Sequence, residues 1–268
     1  MARRFATRTM GVALLTALSV GLVAVPAGAA TTWPPDSSWT LNGNASVSGS
    51  SLVLTQQGQT FQSSAVWLNS PVSTNGLDVS FQVNMGTSGG ADGITLALAD
   101  PAQNTTATTG SNGGGLGFTS GGGHPGVNGV GVALDTYQNV NDPSNNFVGF
   151  LTGGLNTTKT WAATHALSTS LHGTHSVEVT YTSGVLTLIL DGTTVLSNAI
   201  TLPSSVLLGF TGATGGLTND HIISSFVLNP STPDLSAGGA NGVIVIGAMA
   251  AVLLGLLALS QRRRTIRP

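Results

Sequence analysis

The chain contains no cysteine, so no disulfide can brace it. A domain built from it must rest on its own apolar core. Basic side chains are almost as scarce. Between Asp36 and Asp234 stand all ten Asp and Glu residues, and the only Lys or Arg among them is Lys159. Phosphate recognition needs clustered Lys and Arg, so nucleic acid is excluded as a partner. Glutamate occurs once, at Glu178. Glycoside hydrolysis generally calls for two carboxylic acids flanking the scissile bond. Glu178 sits in an alternating strand, opposite in parity to Val177, Val179 and Tyr181, as an exposed residue would. No Glu-x-Asp-x-x-Glu cluster accompanies it. His124, His172, His175 and His221 show no pairing with Ser and Asp. His221 reads as a surface histidine beside a loop. The chain is therefore not read as an enzyme.

Both ends differ from the middle. Residues 1–29 carry Arg3, Arg4 and Arg8, then an apolar run, then Ala27-Gly28-Ala29, the pattern of a secretory signal peptide. Residues 242–260 are uncharged and almost wholly apolar. They lie near the lower limit of about 17–25 residues for a spanning helix. Arg262, Arg263, Arg264 and Arg267 follow, and arginines on that flank place the tail of residues 261–268 in the cytoplasm. Residues 230–241, rich in Pro, Gly, Ser and Ala, form a flexible linker. The expected protein is exported and anchored in the cell membrane by a single pass, with residues 30–229 outside.

That exported segment shows no amphipathic helix. Short apolar or alternating stretches mark strands at Gly49–Thr55, Ser64–Val72, Leu77–Val83, Gly93–Ala99, Val130–Leu134, Ser176–Tyr181, Val185–Leu190, Thr193–Leu196, Ser205–Gly212 and His221–Leu228. Many short strands with glycine-rich turns indicate an all-β antiparallel sandwich or jelly roll. One C-terminal transmembrane helix is added to it.

Gly131–Phe150 concentrates the chemistry. It reads as a strand, a loop dense in oxygens, and a second strand. Asp135, Asn139, Asn141 and Asp142 fall within eight residues, with the Tyr137 carbonyl between them. A hard cation such as Ca²⁺ takes about six to eight oxygen ligands; a plain polar turn is the alternative. It is not an EF-hand, because Asn146 stands where the bidentate Glu belongs and no helices flank the loop.

Ala133-Leu134-Asp135-Thr136-Tyr137-Gln138-Asn139 followed by Asp142-Pro143 resembles the metal loop of the legume-type (L-type) lectins. Ala91-Asp92-Gly93, Gly113–Gly117 and Gly209–Leu217 supply further landmarks in the family's order. The resemblance runs from Trp33 to Leu228. It implies a concanavalin-like sandwich, a cis Ala91–Asp92 peptide, and Ca²⁺ held by Asp135, the Tyr137 carbonyl, Asn139 and Asp142. It also implies carbohydrate binding by Asp92, Gly115, Tyr137, Asn139, Gly216 and Leu217. Two departures stand out: Ala133 replaces the family's Glu, and Phe147 replaces its His. Both normally help hold a transition metal beside the calcium, so one Ca²⁺ and no second metal is expected. The function implied is Ca²⁺-dependent recognition of glycans or glycoproteins, of the mannose/glucose type from Gly215-Gly216-Leu217. An adhesion or structural protein whose lectin fold lacks sugar binding is the alternative, and a glycoside hydrolase stands behind both.

Overall fold

The structure, a computed structural model, describes residues 33–229. The segments read as signal peptide, linker, membrane helix and basic tail lie outside the described residues.

Fifteen strands are present among the described residues. They are β1 (Trp39–Gly43), β2 (Ser46–Ser48), β3 (Ser51–Thr55), β4 (Ser63–Leu68), β5 (Val72–Ser73), β6 (Leu77–Asn84), β7 (Gly93–Ala99), β8 (Gly129–Asp135), β9 (Phe147–Leu151), β10 (Trp161–Ala166), β11 (Thr174–Thr182), β12 (Val185–Leu190), β13 (Thr193–Ala199), β14 (Ser205–Ala213) and β15 (His221–Asn229). One sheet runs β1-β4-β14-β7-β8-β9-β10, with β5 added beside β14; the other runs β13-β12-β11-β6-β15-β3-β2. All the strand pairs are antiparallel. The all-β sandwich expected from the sequence is the fold observed. A single 3₁₀ turn, Gly113–Gly115, is the one helical element among the described residues.

The alternating strands behave as a period of two requires. On β6, Leu77, Val79, Phe81 and Val83 are buried and face Ile94, Leu96, Leu98 and Phe210 of the other sheet across the main core. Trp33, Trp39, Phe210 and Phe226 close one part of that core with edge-on ring contacts.

β7 departs from simple alternation, because all seven of its residues are buried. Its second face lies under a covering layer in which Phe118 and Val127 pack with Ala65, Trp67, Ala97 and Ala99. Small side chains make that close approach possible. A Cβ at Gly149 of β9 would come within 2.7 Å of the Trp161 ring, so only glycine leaves the indole room there. The eight-stranded sheet is therefore covered on both faces, and the candidate site is built at one of its ends.

Candidate functional site

Register brings the site's chain segments together. The first residue of β7, Gly93, lies opposite Asp135 at the end of β8 and Ala213 at the end of β14. The segments before β7, after β8 and after β14 therefore emerge side by side. The Ala91–Asp92 peptide is cis, as the resemblance implies. Asp92 is pinned through its backbone: its N–H donates to the Ala213 carbonyl at 3.1 Å. Its own carbonyl accepts from the Thr136 N–H at 2.9 Å and the Thr136 hydroxyl at 3.0 Å.

The Asp92 side chain is 3% exposed, and its Oδ2 is buried without a hydrogen-bond partner. An unmatched buried acceptor is costly, and burial pushes this carboxyl up to about 6. The Lys159 ammonium, the Asn139 side chain and the Gly215 amide pull the other way. Glycines surround it. Gly113 and Gly215 approach Asp92 Oδ2, and a side chain at Gly114 would run into the Asn139 amide. The Gly113 N–H donates to the Thr214 carbonyl at 2.9 Å, tying the 3₁₀ turn to the segment after β14.

Asn219 supports this arrangement from below. Its Nδ2 donates to the Met85 and Thr87 carbonyls at 2.7 and 3.0 Å, and its Oδ1 accepts from the Thr87 N–H at 3.0 Å. The segment leading to Asp92 is thereby sewn to the segment after β14. Asn219 is fully buried. Nothing in its sequence context distinguishes it from a turn residue, and the sequence reading passed over it.

The oxygen-rich loop is organised around a lysine. Lys159 Nζ lies 2.8 Å from Asp135 Oδ2, 2.6 Å from Asp142 Oδ2 and 3.2 Å from Asn139 Oδ1. An ammonium has three N–H donors and no acceptor, and all three find oxygens. The amide oxygen of Asn139 must face the ammonium, which turns its NH₂ group away. The loop closes on itself: the Tyr137 N–H donates to Asp135 Oδ1 and the Asn139 N–H to Asp142 Oδ2, both at 3.0 Å. Asn141, also an oxygen candidate in the sequence, is exposed with φ 72° and serves the turn. Asp135 is fully buried, and burial pushes its carboxyl up to about 7 against the pull of Lys159.

Trp161 backs the lysine. Its ring centroid is 5.4 Å from Nζ, and its Nε1–H donates to Asp142 Oδ1 at 3.2 Å. Phe147 meets the same indole edge-on at 5.2 Å. Ala133 and Phe147, the two departures from the family pattern, are both fully buried.

Three of the four expected calcium ligands thus supply side-chain oxygens to one point, and the Lys159 ammonium stands at that point. Two cations on the same three oxygens would repel at close range in a region of low dielectric. The residues present do not fit Ca²⁺ while Lys159 stands where it does. The sequence reading counted Lys159 only toward net charge. Its being the sole Lys or Arg amid ten acids was the available clue.

The other expected sugar contacts differ in exposure. Tyr137 and Leu217 are 39% and 49% exposed, and Gly216 faces open space. Gly115 is placed differently from its expected role. Its N–H donates to the Asn112 carbonyl at 3.2 Å within the 3₁₀ turn, and the Ser111 and Thr119 hydroxyls leave no room for a side chain. Gly113 and Gly114 are the glycines that abut Asp92 and Asn139. Phe61, which the sequence reading missed, is 65% exposed beside Gly215; its N–H donates to the Gly215 carbonyl at 3.0 Å. His221, expected at the surface, is fully buried. The Thr55 hydroxyl contacts its Nδ1 at 2.7 Å in the space between β3 and β15.

Comparison with known proteins places this architecture. The family model of the legume lectin domain matches residues 32–239, and the chain belongs to that family. The family is one of non-enzymatic carbohydrate-binding proteins. Similar solved structures include peanut lectin with a 9mer peptide, at 24% identity and TM-score 0.58, over 71% of this chain and 90% of that one. The lectin of Bauhinia forficata in complex with GalNAc is 20% identical with TM-score 0.61, over 76% and 99%. The exoplasmic/lumenal domain of VIP36 in its Ca²⁺/Man-bound form is 18% identical with TM-score 0.58, over 72% and 83%. A search of curated protein sequences gives no significant match.

Proposed function

We propose that this protein binds glycans at the end of its eight-stranded sheet, where Asp92, Asn139, Gly113–Gly114 and Gly215–Gly216 come together. The observation that carries the reading is the buried, unpartnered Oδ2 of Asp92. A carboxylate oxygen left without a partner in the protein is suited to sugar hydroxyl donors. The Asn139 NH₂, turned away from Lys159, gives one N–H to the Asp92 carboxyl and has a second as the complementary donor. Tyr137, Leu217 and Phe61 supply exposed apolar surface on which a pyranose face can rest; C–H groups meet the negative face of an aromatic ring favourably. Gly216 lets the ligand approach the backbone without a side chain in the way.

The sugar is proposed to be of the mannose/glucose type, on the strength of Gly215-Gly216-Leu217. VIP36, whose mannose-bound form shares the fold, supports that choice. The protein is further proposed to be exported and held in the cell membrane by residues 242–260, with its lectin domain outside and its arginine tail in the cytoplasm.

Glycan-array binding by the full-length chain tests the site. Retention on mannose- or glucose-terminated glycans that disappears in Asp92→Ala, with thermal stability kept, is the expected result. Equal retention by Asp92→Ala removes the site assignment. Absence of retention on every glycan favours the adhesion or structural alternative.

A further inference from the structure

We propose that Lys159 is an internal cation that holds the binding loop in the place where the sequence pattern leads one to expect calcium, so that this lectin works without metal. The inference rests on the glycan-binding reading only for its functional consequence; its structural part stands alone.

Three observations converge. First, the ammonium is buried and saturated. The Lys159 side chain is 4% exposed, and each of its N–H donors meets an oxygen within 3.2 Å. Those oxygens belong to Asp135, Asn139 and Asp142, which are otherwise suited to a hard cation. Second, the surroundings are built for an organic cation. Trp161 presents its ring to Nζ and donates its N–H to the second carboxylate oxygen of Asp142. An ammonium is attracted by an indole face. Third, the two departures from the family pattern make the indole's seat. Phe147 packs edge-on against Trp161, and Gly149 leaves the space the ring fills. Ala133, directly opposite Gly149 in the β8–β9 register, adds no bulk beside it. A histidine and a glutamate at positions 147 and 133 would bring metal-ligating groups to a place now made apolar.

The chain of effects then runs to the ligand. Lys159 fixes the amide oxygen of Asn139, which leaves its NH₂ group to the Asp92 carboxyl, its hydrogen-bond partner. Lys159 also holds Asp135 and Asp142 together and so sets the shape of residues 135–142. Thr136, inside that segment, donates twice to the Asp92 carbonyl. Lys159 is thus a positioning residue, acting on the sugar through Asn139 and Asp92.

The test measures the melting temperature of the full-length chain in EDTA and in millimolar CaCl₂, with calorimetric Ca²⁺ titration alongside. The wild type is expected to melt at the same temperature in both and to give no heat of Ca²⁺ binding. Lys159→Ala is expected to melt lower in EDTA. It should regain several degrees in CaCl₂, because the vacated oxygens accept the metal, and a ligand that binds only the folded state raises its stability. Lys159→Met, which keeps the aliphatic stem, reads the same way if the alanine variant fails to fold. A Ca²⁺-dependent rise in the wild-type melting temperature overturns the proposal. So does a foldable Lys159 variant indifferent to Ca²⁺. Neither readout involves sugar, so absent glycan binding would sink the proposed function and leave this inference standing.

Discussion

Two buried side chains at the residue scale lead to measurements of different kinds. His221 has its Nδ1 2.7 Å from the Thr55 hydroxyl, which donates its own proton to the Asn219 carbonyl at 2.8 Å. The imidazole must therefore donate from Nδ1, and its buried Nε2 has no partner. Burial, with His172 nearby, lowers its pKa from 6.5 to about 3. The unfolded chain takes up this proton first as pH falls, so the contribution of neutral His221 is complete above 6.5 and drains away toward 3. Asp92 and Asp135, both raised, act in the opposite sense, because the folded state takes up their protons first. The informative quantity is thus the difference between variants. In urea titrations across that range, His221→Gln should lose less stability on acidification than the wild type. An unchanged slope would refute the assignment. At Lys159, removing the ammonium leaves two buried carboxylates facing each other. Breaking a buried ion pair from one side costs about 3–5 kcal/mol, and urea unfolding of Lys159→Ala in EDTA should register a loss of that order. The position was visible in the sequence as the lone Lys or Arg between Asp36 and Asp234. Its partners were visible too, as calcium ligands. Their meeting was not, because seventeen residues and a strand separate Lys159 from Asp142.

Strand periodicity carried most of the element-level information. Gly93–Ala99 and Val185–Leu190 are strands at the residues the alternation marks, and most others differ by one or two residues at an end. The strands that alternation did not reveal are instructive. β1 and β2 lie at the edges of their sheets, β5 is a two-residue addition, and β10 is the far edge of the eight-stranded sheet. β10 buries little of its sequence, and its pairing with β9 is a matter of backbone hydrogen bonds, so no apolar alternation betrays it. Yet β10 begins with Trp161, and the loop before it delivers Lys159. The cation's environment was hidden because the element that carries it has no hydrophobic signature. Glycine at 149 is the element-scale counterpart. Gly149→Ala places a Cβ 2.7 Å from the Trp161 ring. Overpacking of this kind costs about 1–3 kcal/mol, and differential scanning calorimetry should show a lower melting temperature. Unchanged stability would mean that the indole is not seated as described.

For the whole molecule, the scarcity of charge and the absence of cysteine fit a sandwich held by two apolar layers, the main core and the cover over the outer face of the eight-stranded sheet. That cover brings residues 100–128 and 152–160 onto the sheet. It carries the glycine turn to Asp92 and the lysine to Asp135. One architectural choice therefore serves both stability and the site. The proposed topology adds a test at this scale: in membrane fractions of the producing cell, protease added outside should remove the lectin domain and spare an epitope on the arginine tail.

The measurement that bears most directly on the account is glycan retention by the full-length chain in the presence of excess EDTA. A lectin whose loop is held by Lys159 retains its glycan in EDTA as strongly as in calcium and loses it in Asp92→Ala. Retention that requires calcium would contradict the internal cation, and retention untouched by Asp92→Ala would contradict the site.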